Sequence, residues 1–313
     1  MNPAPHGWSD PNAAPAASPR TNTTLAVAAV VLTAIVLVTL VAVVLTERDT
    51  ILDDPGTDRV TATLIAANSS GVESFMTATA MPAVSVSPAA VQAIQTATAD
   101  LAVSPDRGVR LVSGAHAGLY GAAADNVPCD GPALANFLDA HSGRARAWAE
   151  VEGIRPEQIP FYLNTLTPVV LTVDTWVTSH GYGTDGAPTR QQAVLQAGTA
   201  VMIDPAGVPR IRCVGAHPLT PPADSDFARL ASVGTAWPGY DPKNVVAVSY
   251  TKGPSSFSDP APTAPLGSFT LTDLASGEPK SRSVGGTIDL SSMGSAIALP
   301  DPITANRAGP SHP

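Results

Sequence analysis

The sequence predicts an α+β fold: a single transmembrane helix, then an ectodomain of two to four short helices on a mostly antiparallel sheet, with one disulfide. Three observations carry that expectation. Leu25–Leu45 (LAVAAVVLTAIVLVTLVAVVL) contains no charge, Gly or Pro, and as a helix it would span about 30 Å, the hydrocarbon thickness of a bilayer. Beyond it, short alternating apolar and polar runs bounded by Gly, Pro, Asn and Asp have the period of strands. The two cysteines, Cys129 and Cys213, both follow the apolar run, and an isolated pair fits a bridge in an oxidising compartment.

Arg20 and Arg48 flank the apolar run and nearly cancel in the positive-inside count, so the cysteines set the expected orientation. The N-terminus is then cytoplasmic and the C-terminal domain extracytoplasmic, in a single-pass protein of the cell membrane whose partner is the bilayer through Leu25–Leu45. A cleaved signal peptide would have a shorter apolar core and a small-x-small site, whereas this run ends Val43-Val44-Leu45-Thr46-Glu47. The formal charge is −9. An acidic chain with no Lys/Arg cluster is poorly suited to nucleic acid or to an anionic lipid surface. The expected segments are a disordered cytoplasmic tail (1–23), the membrane helix (24–46), a juxtamembrane linker (47–58) and the α+β domain (59–250). A Pro/Ser-rich linker with a terminal strand (251–298) and a disordered tail (299–313) follow.

Within the domain, Val60–Ile65 alternates like a strand until Asn68-Ser69-Ser70-Gly71 breaks it. Pro88–Leu101 places Val91, Ile94, Thr98 and Leu101 at helical spacing, and Val109–Val112 is a short strand. Three glycines in Gly114–Gly121 mark tight backbone geometry. Asp130 caps a helix with Pro132 in its first turn, and Leu134, Phe137, Leu138, His141, Ala145 and Trp148 share one face. A shorter helix starts at Pro160. Val169–His180 reads as one strand, with Leu171, Val173 and Val177 facing the core and Thr172, Asp174, Trp176, Thr178 and His180 on a face free to meet something. Leu195–Cys213 is a hairpin whose Asp204-Pro205-Ala206-Gly207 has the residue preferences of a type I turn. Its return strand aims Ile211 and Cys213 inward, where Cys129 would meet Cys213, and leaves Arg210 and Arg212 as a solvated face. A Pro-rich loop follows from His217, and Val245–Tyr250 and Ser268–Leu274 are the last strands.

The chemical motifs are sparse. None of the histidines, His6, His116, His141, His180, His217 and His312, stands in an H-x-x-x-H or H-E-x-x-H pair, and a zinc site would need His116, His180 and His217 brought together from three loops. No metal and no cofactor is therefore expected. There is no G-x-S-x-G, and Ser249-Tyr250-Thr251-Lys252 leaves a strand for a Pro-rich loop instead of opening a helix. Asp174 and His180 lie too far apart along an extended strand to share a hydrogen bond.

Five stretches in series, GLYGAAADNVPCD (Gly118–Asp130), LTPVVLTVDTWVTSHGY (Leu166–Tyr182), VLQAGTAVMIDPAGVPRIRC (Val194–Cys213), HPLTPP (His217–Pro222) and WPGYDP (Trp237–Pro242), resemble a family of domains of unknown function, numbered 6777. The resemblance runs over about residues 60–250. It implies an actinobacterial extracytoplasmic domain, membrane-anchored or secreted, and implies no activity. Ala122, Trp176 and Ala216-His217 depart from the family pattern, beside the polar strand and the second cysteine.

The leading expectation for function is an envelope domain that binds a wall component, a small ligand or a protein partner without catalysis. Its binding residues would be Asp174, Trp176, Thr178 and His180 with His116, Tyr120 and His217. The alternatives are an envelope hydrolase or transferase using His180 or His217 with Asp174, and a structural spacer.

Overall fold

The computed structural model describes residues 61–77, 84–105, 107–123, 129–223, 225–248, 250, 264–291 and 297–301. They belong to one compact unit, residues 59–313. The apolar run Leu25–Leu45, the first tail, most of the last one and residues 251–263 lie outside the described residues.

The strands are β1 (Thr61–Ile65), β2 (Arg110–Val112), β3 (Tyr120–Ala122), β4 (Thr167–Leu171), β5 (Thr175–Tyr182), β6 (Pro188–Leu195), β7 (Ala200–Ile203), β8 (Pro209–Arg212), β9 (His217–Thr220), β10 (Ala231–Val233), β11 (Val246–Val248), β12 (Ser268–Asp273) and β13 (Pro279–Ser283). The α-helices among the described residues are α1 (Pro88–Ala97), α2 (Gly131–Ala140), α3 (Ser142–Glu152) and α4 (Ile159–Thr165). The strands form one sheet in the order β10-β1-β6-β5-β9-β8-β7-β4-β3-β12-β13, with β11 branching from β5 and β2 pairing β11.

This corrects the expected fold class, because the 13-stranded sheet is mixed. Next to the antiparallel hairpins, β1 runs parallel to β10 and β6, β11 to β2 and β5, and β12 to β3. The reason is distance along the chain: Thr61 lies beside Ala231, and no local turn signal announces such a pairing. The expected single transmembrane helix finds no support here: no helix among the described residues is long and apolar enough to cross a membrane, and Leu25–Leu45 lies outside them.

β5 is where the sheet forks. One of its edges pairs with β6 along its whole length. The other pairs with β11 at Thr175 and Trp176 and with β9 at Thr178 and Ser179. The main apolar cluster, with Val177, Leu195, Leu219, Val201, Ile203, Val246 and Leu271, draws residues from both arms. A second cluster packs Leu134, Leu138, Trp148, Leu163 and Leu166 of the helical segment against Met202 and Ile211. A third holds Trp176 with Leu111, Val194, Phe227 and Ala247.

Local chemistry explains the helix starts. The Ser87 hydroxyl accepts from Ala90 N–H at 3.1 Å and the Asp130 carboxylate from Ala133 N–H at 2.8 Å, each satisfying an orphan donor of a first turn that carries Pro. The helix expected from Asp130 through Trp148 is two helices, because His141 leaves the helical region at φ −130°, ψ 72° and ends α2. The strand expected from Val169 through His180 is also two, separated by a bend at Thr172–Asp174 that sends β4 and β5 to different neighbours. His217–Thr220, given no element in the sequence, is β9.

The 204–207 turn is as expected, with Gly207 N–H donating to Asp204 O at 2.8 Å. Gly207 has φ +80° and lies against the backbone of Gly114, leaving no room for a side chain at either position. The bridge Cys129–Cys213 is formed, with Cα atoms 5.2 Å apart and a sequence separation of 84. It ties the start of α2 to the end of β8, and chain-entropy reasoning assigns such a loop about 4–5 kcal/mol.

Candidate functional site

Asp174 sits in the bend between β4 and β5 and gathers three segments. Its Oδ1 accepts from Ala197 N–H at 2.8 Å, its Oδ2 from the Trp237 indole N–H at 3.1 Å, and its backbone carbonyl from Val246 N–H at 2.9 Å. Burial pushes its carboxyl above the usual carboxylate range, and the two donors hold it back in part. Among the described residues no hydrogen bond joins Asp174 to a histidine.

The other members of the expected polar face point into protein. Trp176 is 0% exposed, stacked obliquely on Phe227 at 5.0 Å with the Arg107 guanidinium 5.7 Å from its ring. Its indole N–H is buried without a hydrogen-bond partner. Thr178 receives Gln192 Nε2 at 2.8 Å and donates to Pro221 O at 2.9 Å. The strand face that alternation leaves open is covered because β5 has elements on both faces and both edges.

His180 and His217 are brought together. His217 Nδ1 is 3.0 Å from His180 O and its Nε2 is 3.0 Å from Ser70 O. Both ring nitrogens face carbonyls, which suits an imidazolium, yet burial and the nearby Arg212 charge lower His217 to about 4. A neutral ring therefore aims one lone pair at a carbonyl. Burial also lowers His180 to about 4, with Arg190 and Arg210 adding to the effect, and His180 Nδ1 has no hydrogen-bond partner. Beside them Arg212, 1% exposed, donates to Ser69 O at 2.6 Å and Ser70 O at 2.8 Å. Arg144 donates to Ser74 O at 3.0 Å and Phe75 O at 2.6 Å. Side chains thus collect the carbonyls of an irregular strap, Ser69–Met76, that a strand would otherwise satisfy.

The Gly114–Gly121 loop is pinned elsewhere. His116 Nε2 lies 2.9 Å from Ala97 O, and the Tyr120 hydroxyl donates to Gly207 O at 2.5 Å. Neither reaches the histidine cluster or Asp174 through these bonds.

The largest polar assembly escaped the sequence reading. Arg210, expected on a solvated face, is 4% exposed, and its guanidinium meets Glu152 Oε2 at 2.5 Å and the Tyr162 hydroxyl at 2.9 Å. Tyr162 donates to the same carboxylate oxygen, Tyr250 donates to Asp204 Oδ2, and Asp204 Oδ1 accepts from Ala206 and Val208 N–H. Burial alone would lower Arg210, but Glu152, Tyr162 and Asp204 hold it above its ordinary value. Burial raises Asp204 to about 6 and pushes Glu152 upward against the pull of Arg210. Glu152 Oε1 is left without a partner. The available signal was the turn itself: a chain that buries Asp204 needs donors nearby.

Residues 110–258 match the family model described as Domain of unknown function (DUF6777). The chain carries a DUF6777 domain. No curated protein and no solved structure matches the chain. The DUF6777 segment holds the Asp174 knot, the histidine pair, both cysteines and the Arg210 assembly, whereas β1, α1, β12 and β13 fall outside it.

The same segment holds a surface feature that the sequence reading quoted without giving it a role. Trp237-Pro238-Gly239-Tyr240 closes a turn through Tyr240 N–H to Trp237 O at 3.1 Å, and Gly239 takes φ +86°. Pro second and a left-handed Gly third make it type II. The two rings meet edge to face at 5.1 Å and are partly exposed. Among the described residues no group of three or more His, Cys, Asp or Glu is placed to hold a metal ion.

Proposed function

We propose that this DUF6777 domain works outside the cytoplasm and binds a cell-envelope ligand or protein partner without catalysis. The observation that carries the reading is the use made of Asp174. The carboxylate that a catalytic histidine would need is bonded to Ala197 N–H and to the Trp237 indole, where it fixes a partly exposed aromatic turn at the surface. Rigid aromatic groups on loops are the usual anchors of recognition, because they bury much area at small cost in conformational freedom. The bridge Cys129–Cys213 supports the compartment, since such bonds persist where thiols are not kept reduced.

Two measurements test this. A membrane-impermeant maleimide applied to intact cells should label Cys129 and Cys213 only after reduction; labelling confined to lysed cells, without need of reductant, would refute the compartment. The full-length protein in mild detergent should co-sediment with isolated envelope fragments, and its staying wholly in the supernatant would refute binding.

A further inference from the structure

Resting on that binding reading, we infer that the Trp237–Tyr240 turn is a platform for a neutral glycan chain. The Trp237 N–H is taken by Asp174, and the rings of Trp237 and Tyr240 pack against the third apolar cluster while staying partly exposed. The Tyr240 hydroxyl lies 3.5 Å from Ser232 Oγ, and Asp241 follows directly, its Oδ1 accepting from Lys243 N–H. Around the rings, residues 232–236, 238, 239 and 242–244 are exposed, and a Cβ built on Gly239 meets nothing within 4 Å.

A pyranose ring suits this surface on two counts. Its axial C–H bonds pack on aromatic faces, and its hydroxyls donate to acceptors such as Ser232, Tyr240 and Asp241. The carboxylate of Asp241 and the net charge of −9 oppose an anionic ligand. An extended peptide would need a strand edge to pair with, and the neighbouring edge strand β10 offers only Ala231–Val233. The turn is also preorganised: Pro238, Gly239 and the Asp174 bond set both rings before any ligand arrives, which lowers the cost of ordering them.

The test uses the full-length protein in mild detergent with chitotetraose and maltoheptaose as soluble neutral glycans. Trp148 and Trp176 are fully buried, so once the remaining tryptophan is replaced by Trp8→Phe a ligand-dependent change in tryptophan emission should come from Trp237. Binding of at least one glycan is expected, weakened about tenfold or more in isothermal titration calorimetry by Trp237→Ala and by Tyr240→Ala, with both variants keeping the far-ultraviolet circular dichroism of the parent although each gives up packing on the third apolar cluster. Binding to envelope fragments that neither variant weakens, or that an extended peptide competes and the glycans do not, overturns the glycan platform while leaving the binding reading in place. Failure to bind envelope fragments at all removes both.

Discussion

Arg210 on β8 and Glu152 at the end of α3 form an ion pair of 2.5 Å with both side chains buried. It joins the helical segment to the sheet, and Tyr162 closes the same contact from α4. Removing one partner strands the other charge in a medium that cannot solvate it. Glu152→Gln should therefore lower the unfolding free energy by about 3–5 kcal/mol, whereas Glu152→Leu combined with Arg210→Met should cost less than either single change. Urea denaturation of the three variants checks both statements.

Stability should respond to pH in two opposing ways. Asp204 is raised by burial to about 6 in the folded domain, so its stabilising contribution is fully present below its unfolded value and is lost as pH rises through about 6. His180 and His217 are lowered by burial to about 4. Theirs is present above the ordinary histidine range and is lost as pH falls through about 4. Asp174 and Glu152 are raised as well and act with Asp204, so three carboxyls oppose two histidines. Relative to the parent, Asp204→Asn should lose more stability on acidification and His217→Asn should lose less, in denaturation midpoints measured from about pH 4 to 7.

Asp174→Ala should release Trp237. Two donors, Ala197 N–H and the indole N–H, lose their acceptor, at a cost of about 1–3 kcal/mol. The indole resonance of Trp237 should exchange with solvent faster than in the parent, and nuclear magnetic resonance reads that directly.

Arg212→Met should loosen the strap Ser69–Met76, because the carbonyls of Ser69 and Ser70 lose their buried donor. Limited proteolysis should then cut near Ser70 at least several times faster than in the parent. Unchanged cleavage would mean that His217 and Arg144 hold the strap without Arg212.

Breaking the Cys129–Cys213 bridge by Cys129→Ser with Cys213→Ser should cost about 2–4 kcal/mol. The loss should appear as a lower melting temperature that no longer shifts on adding reductant.

Local chemistry was legible in the sequence where a feature closes within a few residues. The Asp130 cap, the Asp204–Gly207 turn and the outlines of β1, β2 and α4 are of that kind. The bend at Thr172–Asp174 was not, because the apolar alternation runs straight through it and only the tertiary partners of Asp174 break the strand. Arg210 and Arg212 were misread for the same reason: alternation says that two side chains share a face, and only Glu152, Tyr162 and the strap, 48 to 143 residues away, say that the face is covered. Of the candidate site, Asp174 and the two histidines were visible as residue types. Their partners, mostly backbone groups of remote segments, leave no mark in a local pattern.

The fork in the sheet bears on the order of events at synthesis. β5 cannot fill both halves of its second edge until β9 and then β11 have emerged, and β1 waits for β10. Pairings between such distant segments are slow, since a large loop must close before any contact rewards it. A chain emerging N-terminus first therefore carries β5 with an unfilled edge for some 70 residues, long enough at ordinary elongation rates for several seconds of exposure. A domain wired in this way stays open until nearly its last strand arrives.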